Sequence, residues 1–163
     1  VSDPVRAYVA LGSNLGESRL LLARAMDALD AHPQIDVVAR SRFFRTPPWG
    51  VLDQPDFVNA VVAVTTTLSP DALLARLLDT ERQAGRVRDG QAWGPRTLDL
   101  DLLLYEGVAR DDPHLTLPHP RMAERAFVLL PLADIAPDLI IPGKGRVSDL
   151  LAAVDSGGCQ ALS

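Results

Sequence analysis

Two carboxylates, Asp99 and Asp101, stand one residue apart in the segment LDLDLLLY. In an extended chain alternate side chains share a face, so both acids point the same way, with Cβ atoms roughly 6–7 Å apart by strand rise. Leu98, Leu100, Leu102 and Leu104 then point the other way, into a core. Like charges side by side on a half-buried strand repel each other, and desolvation raises the cost. A cation resolves that conflict. The segment has no cysteine near it and no histidine pair in reach, so these hard oxygen donors select Mg²⁺ or Mn²⁺. The competing reading is an exposed sheet face that merely carries two acids.

The residues just upstream weigh against that plainer reading. Arg82, Arg86, Arg88 and Arg96 crowd into one short stretch. Trp93-Gly94-Pro95-Arg96 forms a stiff turn that delivers an arginine beside the acidic pair. Arg86 and Arg88 can place two more guanidinium groups over the same mouth. Phosphoryl transfer needs both elements: a divalent metal to bridge phosphate oxygens, and arginines to hold charge as it moves to the leaving group. A solvated charged loop is the alternative for the arginines. The loop GSNLGES has neither the lysine of a Walker loop nor the third glycine of a dinucleotide fingerprint. It reads as a tight connection from strand to helix, which leaves the phosphates to side chains and metal.

Bulk properties limit what these motifs can serve. The chain has 163 residues, 47% hydrophobic and 23% charged, a composition that fits one globular domain over residues 1–163. A net charge of -5 argues against a nucleic-acid partner, because phosphate backbones select broad basic faces. One arginine cluster in an acidic chain points instead to a small polyanion. No apolar run approaches the ~18 residues of a membrane span, and VSDPVRAYVALGSN runs into a strand-like segment without a basic leader. Cys159 is the single cysteine, which rules out an internal disulfide framework. The expected setting is the cytoplasm, and the expected form a monomer.

The elements that must position these residues follow from periodicity. Residues 6–12 read as a buried strand, 19–31 as a helix with Leu22, Met26 and Leu29 on one side, and 35–46 as a second strand stopped by Pro47-Pro48. The β-branched run 57–67 is a third strand. Ser69-Pro70 caps a second helix that carries Leu73, Leu74, Leu77 and Leu78 and ends near Gly85. Residues 98–105 form the fourth strand, turning at Glu106-Gly107 into a short return strand. Farther on, a short helix, a proline-bounded apolar turn and a helical piece at 148–154 are expected. This order predicts an α+β, ferredoxin-like sandwich with two helices on one face of a mostly antiparallel sheet.

The stretch RVRDGQAWGPRTLDLDLLLY, with FFRTPPWG, DQPDFVNAVV and LTLPHPRMAERAFVLLPL, closely resembles the 6-hydroxymethyl-7,8-dihydropterin pyrophosphokinases of folate synthesis. The resemblance runs from Tyr8 to about Pro142, in order and with matching intervals. It implies that Asp99 and Asp101 hold two Mg²⁺ ions against the phosphates of ATP, the co-substrate. Arg86 and Arg96 match arginines of mobile catalytic loops, and Arg88 a neighbour that closes over ATP. His119 and Arg125 match phosphate contacts, while Leu102, Leu115 and Thr116 match the adenosine pocket. Thr46, Pro47, Pro48 and Trp49 match a loop whose backbone reads the pterin edge, Asn59 the amide that bonds the ring, and Phe57 and Phe127 the aromatic pair that sandwiches it. Trp93 matches a loop tryptophan that folds in on closure, and Glu81 a carboxylate expected to orient an arginine.

Without the resemblance, His119, Arg125 and both phenylalanines would pass for ordinary loop, surface and core residues. The sequence departs from its relatives in a few places. Ala92 stands where many carry a basic residue, Phe57 where tyrosine is common, Leu78 at a position often polar and Pro120 at one often aromatic. The implied chemistry is in-line transfer, in which the pterin hydroxymethyl oxygen attacks the β-phosphorus of ATP and AMP leaves. A non-catalytic, ferredoxin-like nucleotide-binding module is the competing class.

Overall fold

The computed structural model describes residues 3–14, 17–46, 57–86 and 98–162, with residues 84–86 described through their backbone alone. In chain order the elements are β1 (Val5–Ser13), α1 (Ser18–Asp30), β2 (Ile35–Arg40), β3 (Phe44–Thr46), β4 (Phe57–Thr66), α2 (Pro70–Arg86), β5 (Asp99–Tyr105), β6 (Arg110–Asp112), β7 (Leu115–Leu117), α3 (Ala126–Ile135), β8 (Ile140–Ile141), β9 (Gly145–Arg146), α4 (Val147–Ala153) and β10 (Gln160–Ala161). The main sheet runs β10-β3-β4-β1-β5, with β2 also on β4, and its pairings are all antiparallel. This is the α+β, ferredoxin-like arrangement expected from the sequence.

β1 and β4 are buried on both faces, which explains their nearly continuous apolar runs. One face packs on α1 and α2 through Leu22, Met26, Leu29, Leu73 and Leu77. Ser69 caps α2 as its type predicts, its hydroxyl accepting the Ala72 N–H at 3.1 Å. The opposite face is covered as well: Tyr8, Val61 and Ala63 pack against Val128, Leu129 and Leu132 of α3 and Val147 of α4. The sequence placed helices on the first face only; the short helix expected after His119 is α3, which also takes in the expected apolar turn with Pro131 inside it, and the helical piece expected at 148–154 is α4. Proline removes one helical hydrogen bond and reads as a break, yet burial of this side of the sheet outweighs that local loss.

Three other expectations change. The strand predicted over 35–46 is divided at 41–43, where Ser41 takes over: its N–H donates to Val61 O and its hydroxyl accepts the Val61 N–H, both at 2.9 Å. The return strand after Glu106-Gly107 pairs with β7, not with β5. Leu104 packs on the α3 side rather than with Leu98, Leu100 and Leu102. The register steps from Val9↔Leu102 to Tyr8↔Leu104, so Leu103 is an extra residue and reverses the alternation beyond it. Helix α2 ends at Arg86, beside the expected stop near Gly85.

The buried α3 layer sets a stability expectation. Leu129 is fully buried (0%), whereas Leu20 on α1 is 45% exposed. Leu129→Ala should cost about 2–5 kcal/mol, and Leu20→Ala no more than ~0.5 kcal/mol, measured by urea denaturation. Equal costs at the two positions would contradict the two-sided core.

Candidate active site

The carboxylate pair lies where β5 meets the polar end of the sheet. Gly12 of β1 sits between Asp99 on β5 and Asn59 on β4, and Ala10 pairs with Asp101 one step further in. Asp99 is half-buried and Asp101 exposed, while Leu100 between them and Leu102 beyond are buried at 3% against α1 and α2. The predicted alternation therefore holds around the acids. Glu81 of α2 accepts the N–H of Leu100 at 2.7 Å. That bond ties Glu81 to the β5 backbone between the two acids.

Asp99 and Asp101 line two cavities at once. The smaller, about 320 Å³, is bounded by Leu102, Leu115, Thr116 and His119, together with Glu81 and Leu78. It gathers the described residues that the resemblance assigned to ATP, Arg125 excepted. The larger, about 770 Å³, is lined by Thr46, Phe57, Asn59 and Phe127, the described residues assigned to the pterin, and also by Gly12, Arg121, Glu124 and Arg125. Arg125 lies on this second cavity, with its guanidinium carbon 5.4 Å from the Phe127 ring centroid. Arg88, Trp93, Arg96, Pro47, Pro48 and Trp49, and also Ala92, lie outside the described residues, and Arg86 is described only as the last residue of α2.

Local bonds fix the walls. Asn59 donates from Nδ2 to Thr46 Oγ1 at 2.8 Å, a buried contact. Thr116 and Leu115 sit on the β6–β7 hairpin, which is tied to α2 by Arg110, bonded through both terminal nitrogens to Asp71 at 3.1 Å. His114 Nε2 lies 3.1 Å from the same carboxylate. The hydrogen bond from Arg110, then that from His114, hold the Asp71 carboxyl below its usual range.

His119 has a defined protonation state. Burial pushes its imidazole below the ordinary value of 6.5, Asp101 opposes that shift, and Arg125 and Arg121 reinforce it. Its Nδ1 accepts the N–H of Arg121 at 3.2 Å. The neutral ring therefore carries its proton on Nε2, where it can donate to an anionic oxygen.

Gly12, Arg121 and Glu124 escaped the sequence reading. A glycine inside a strand was the available signal for close backbone approach, but GSNLGES was read as a loop. Arg121 and Glu124 belong to a stretch without periodicity. Among the described residues, no group of three or more His, Cys, Asp or Glu side chains could cage a metal.

A carboxylate pair on the wall between an aliphatic cavity and an aromatic one is the layout of a two-substrate phosphoryl-transfer site. Residues 8–137 match the family model of 7,8-dihydro-6-hydroxymethylpterin-pyrophosphokinase (HPPK), and the chain belongs to that family. It is 52% identical over 157 residues to the 2-amino-4-hydroxy-6-hydroxymethyldihydropteridine pyrophosphokinase of Methylorubrum extorquens, covering 96% of this chain and 98% of that protein. The Pseudomonas aeruginosa protein of the same name is 49% identical, with 96% of each covered. Among solved structures, the wild-type HPPK-DHPS of Plasmodium falciparum superposes with a TM-score of 0.71 at 14% identity over 92% of this chain. The same protein with pterin and p-hydroxybenzoate gives 0.72 at 14% identity over 93%. This chain spans only 41% and 43% of those two chains, and at such identity they speak for the fold alone. No helix among the described residues is long and apolar enough to cross a membrane.

The state of His119 gives a pH expectation. Its folded-state value is depressed, so the unfolded chain binds this proton more readily. The associated stability is fully present above about pH 6.5 and is lost as pH falls from there through the folded value. In metal-free protein, the His119 ring should titrate below 6.5 by NMR, and His119→Gln should flatten the stability profile just below that pH. Titration at or above 6.5 would contradict the buried neutral ring.

Proposed function

We infer that this chain transfers the terminal diphosphate of ATP to the hydroxymethyl group of 6-hydroxymethyl-7,8-dihydropterin, releasing AMP, in folate biosynthesis. Membership of the family supports the reaction. The observation that carries its placement is the Asp99–Asp101 wall shared by the two cavities. The smaller cavity takes the nucleotide against Leu102, Leu115 and Thr116, and the larger takes the pterin between Phe57 and Phe127. Transfer occurs where they meet: the hydroxymethyl oxygen bonds to the β-phosphorus, the bond to the α-phosphate bridging oxygen breaks, and the hydroxyl proton passes to solvent.

Asp99 and Asp101 would hold two Mg²⁺ ions, which when bound neutralise phosphate charge and lower the pKa of a coordinated hydroxyl. The chain's own residues supply the rest. Asn59 reads the ring edge with a carboxamide that Thr46 holds in place. His119 donates to phosphate from Nε2 without adding a proton that the developing anion could take. Arg125, spread over the Phe127 ring, brings a fixed positive charge to the aromatic cavity, and Arg86, Arg88 and Arg96 complete the phosphate contacts. Trp93 and the segment Pro47-Pro48-Trp49 close the pterin side. The proposed form is a monomer, and an ATP-consuming reaction with a single cysteine fits the reducing cytoplasm.

Asp99→Ala or Asp101→Ala should lower turnover by orders of magnitude, because each removes half of the protein's share of the metal ligands. The fold should survive, since either change also relieves carboxylate repulsion. AMP release at low millimolar Mg²⁺ measures this, and near-parental rates in either variant would sink the assignment. In the parent, AMP release that did not depend on the pterin would point to a nucleotide-binding module instead.

A further inference from the structure

Gly12 stands in the middle of the sheet, in the row that joins the two chemical ends of the larger cavity. On one side it pairs with Asn59 and on the other with Asp99. Adjacent strands lie about 4.8 Å apart, so these two side chains are separated by two strand spacings, roughly 9–10 Å, across Gly12. All three residues line the same cavity.

A glycine inside a central strand weakens it, because the residue loses more freedom on folding and offers no side chain to pack. Backbone conformation does not require one here. The described glycines with positive φ are Gly107, Gly143, Gly145 and Gly158, and Gly12 is not among them. The requirement is space. A Cβ on Gly12 would stand 2.7 Å from Asn59 Oδ1 and 3.8 Å from its Cγ, and carbon and oxygen do not approach so closely without displacement.

The carboxamide has no easy retreat. Its Nδ2 is bonded to Thr46 Oγ1 at 2.8 Å, with Asn59 only 8% and Thr46 3% exposed. Swinging Asn59 away from a new methyl group would break that bond and leave two buried polar groups unsatisfied. Holding the bond would instead push β1 and β4 apart. We propose that Gly12 is a positioning residue for the acceptor substrate: its missing side chain is the clearance in which the Asn59 carboxamide lies, clamped by Thr46, at a fixed distance from Asp99. This rests on reading the larger cavity as the acceptor site.

The test is a double-mutant cycle on the full chain: parent, Gly12→Ala, Asn59→Ala, and both together. Calorimetry with 6-hydroxymethylpterin, in the presence of Mg²⁺ and an unhydrolysable ATP analogue, reads ligand affinity, and thermal melting reads stability. Gly12→Ala alone should weaken pterin binding by about tenfold or more, lower the melting temperature, and leave ATP-analogue affinity within about twofold. In the Asn59→Ala background the same change should have little effect on either pterin affinity or melting, because the colliding group is gone. If Gly12→Ala alone does not fold, recovery of a folded double variant carries the same meaning. Equal losses in both backgrounds, or no loss in Gly12→Ala, would overturn the proposal. A parent that bound the ATP analogue but not the pterin would sink the acceptor reading instead, while coupling in the melting temperatures would still decide the clearance.

Discussion

Strand β5 must hold two carboxylates on one face at an edge of the sheet, and much of the surrounding structure prevents it from evading that burden. Leu100 and Leu102 anchor its other face in the core under α1 and α2. Pairing with β1 fixes its inner edge. Glu81 takes the N–H of Leu100, so a third carboxylate secures the backbone between the two acids. A strand held in these three ways cannot twist to separate Asp99 from Asp101. Holding two like charges on one face of a fixed strand costs local stability.

The charges on the far side of the pair are arranged differently. The aromatic cavity presents Arg121 and Arg125 beside Asp99, Asp101 and Glu124, while the aliphatic cavity presents Glu81 and His119 beside the same pair. His119 touches both arrangements, because Arg121 and Arg125 press on its charge and Asp101 favours it. Burial decides the balance, and the ring stays neutral. The bond from Arg121 N–H to Nδ1 then settles which nitrogen carries the proton. One backbone bond thus settles which nitrogen of a cavity-lining ring can donate.

Sheet elements and the acidic pair were legible in the sequence because alternation is a direct imprint of burial. The Asp–Leu alternation of β5 shows this, and the continuous apolar runs Tyr8 to Leu11 and Val61 to Val64 record burial on both faces. Legibility failed where a single residue changes the phase. Leu103 reverses the direction of Leu104, and no composition signal marks it. α3 was legible only as a short helix beside an apolar turn, because Pro131 outweighs its neighbours in a local reading, although Leu129 and Leu132 are fully buried. Within the site, Asn59, Phe57 and Phe127 were found only through family resemblance, since a buried amide and two phenylalanines carry no spacing signature. Gly12 was visible as a residue and invisible as a constraint, because its meaning lies across the strand in Asn59.

Along β1 the sheet changes character. Ala7, Val9 and Leu11 are core, whereas the chain beyond turns to Gly12, Ser13 and Asn14, the last two buried at 1% and 2%. Thr46, Asn59 and Ser18 are buried at the same end, at 3%, 8% and 4%, and Ser18 Oγ lies 3.2 Å from Ser13 Oγ. Burying so many polar groups is unfavourable unless their bonds are satisfied. Satisfying them consumes side chains that could otherwise have enlarged the core. What the arrangement secures is precision. Asn59 and Asp99 project from strands of one sheet rather than from loops, so the distance between the amide and the carboxylate is set by strand spacing itself. A transfer reaction that depends on bringing one oxygen to one phosphorus benefits from that rigidity.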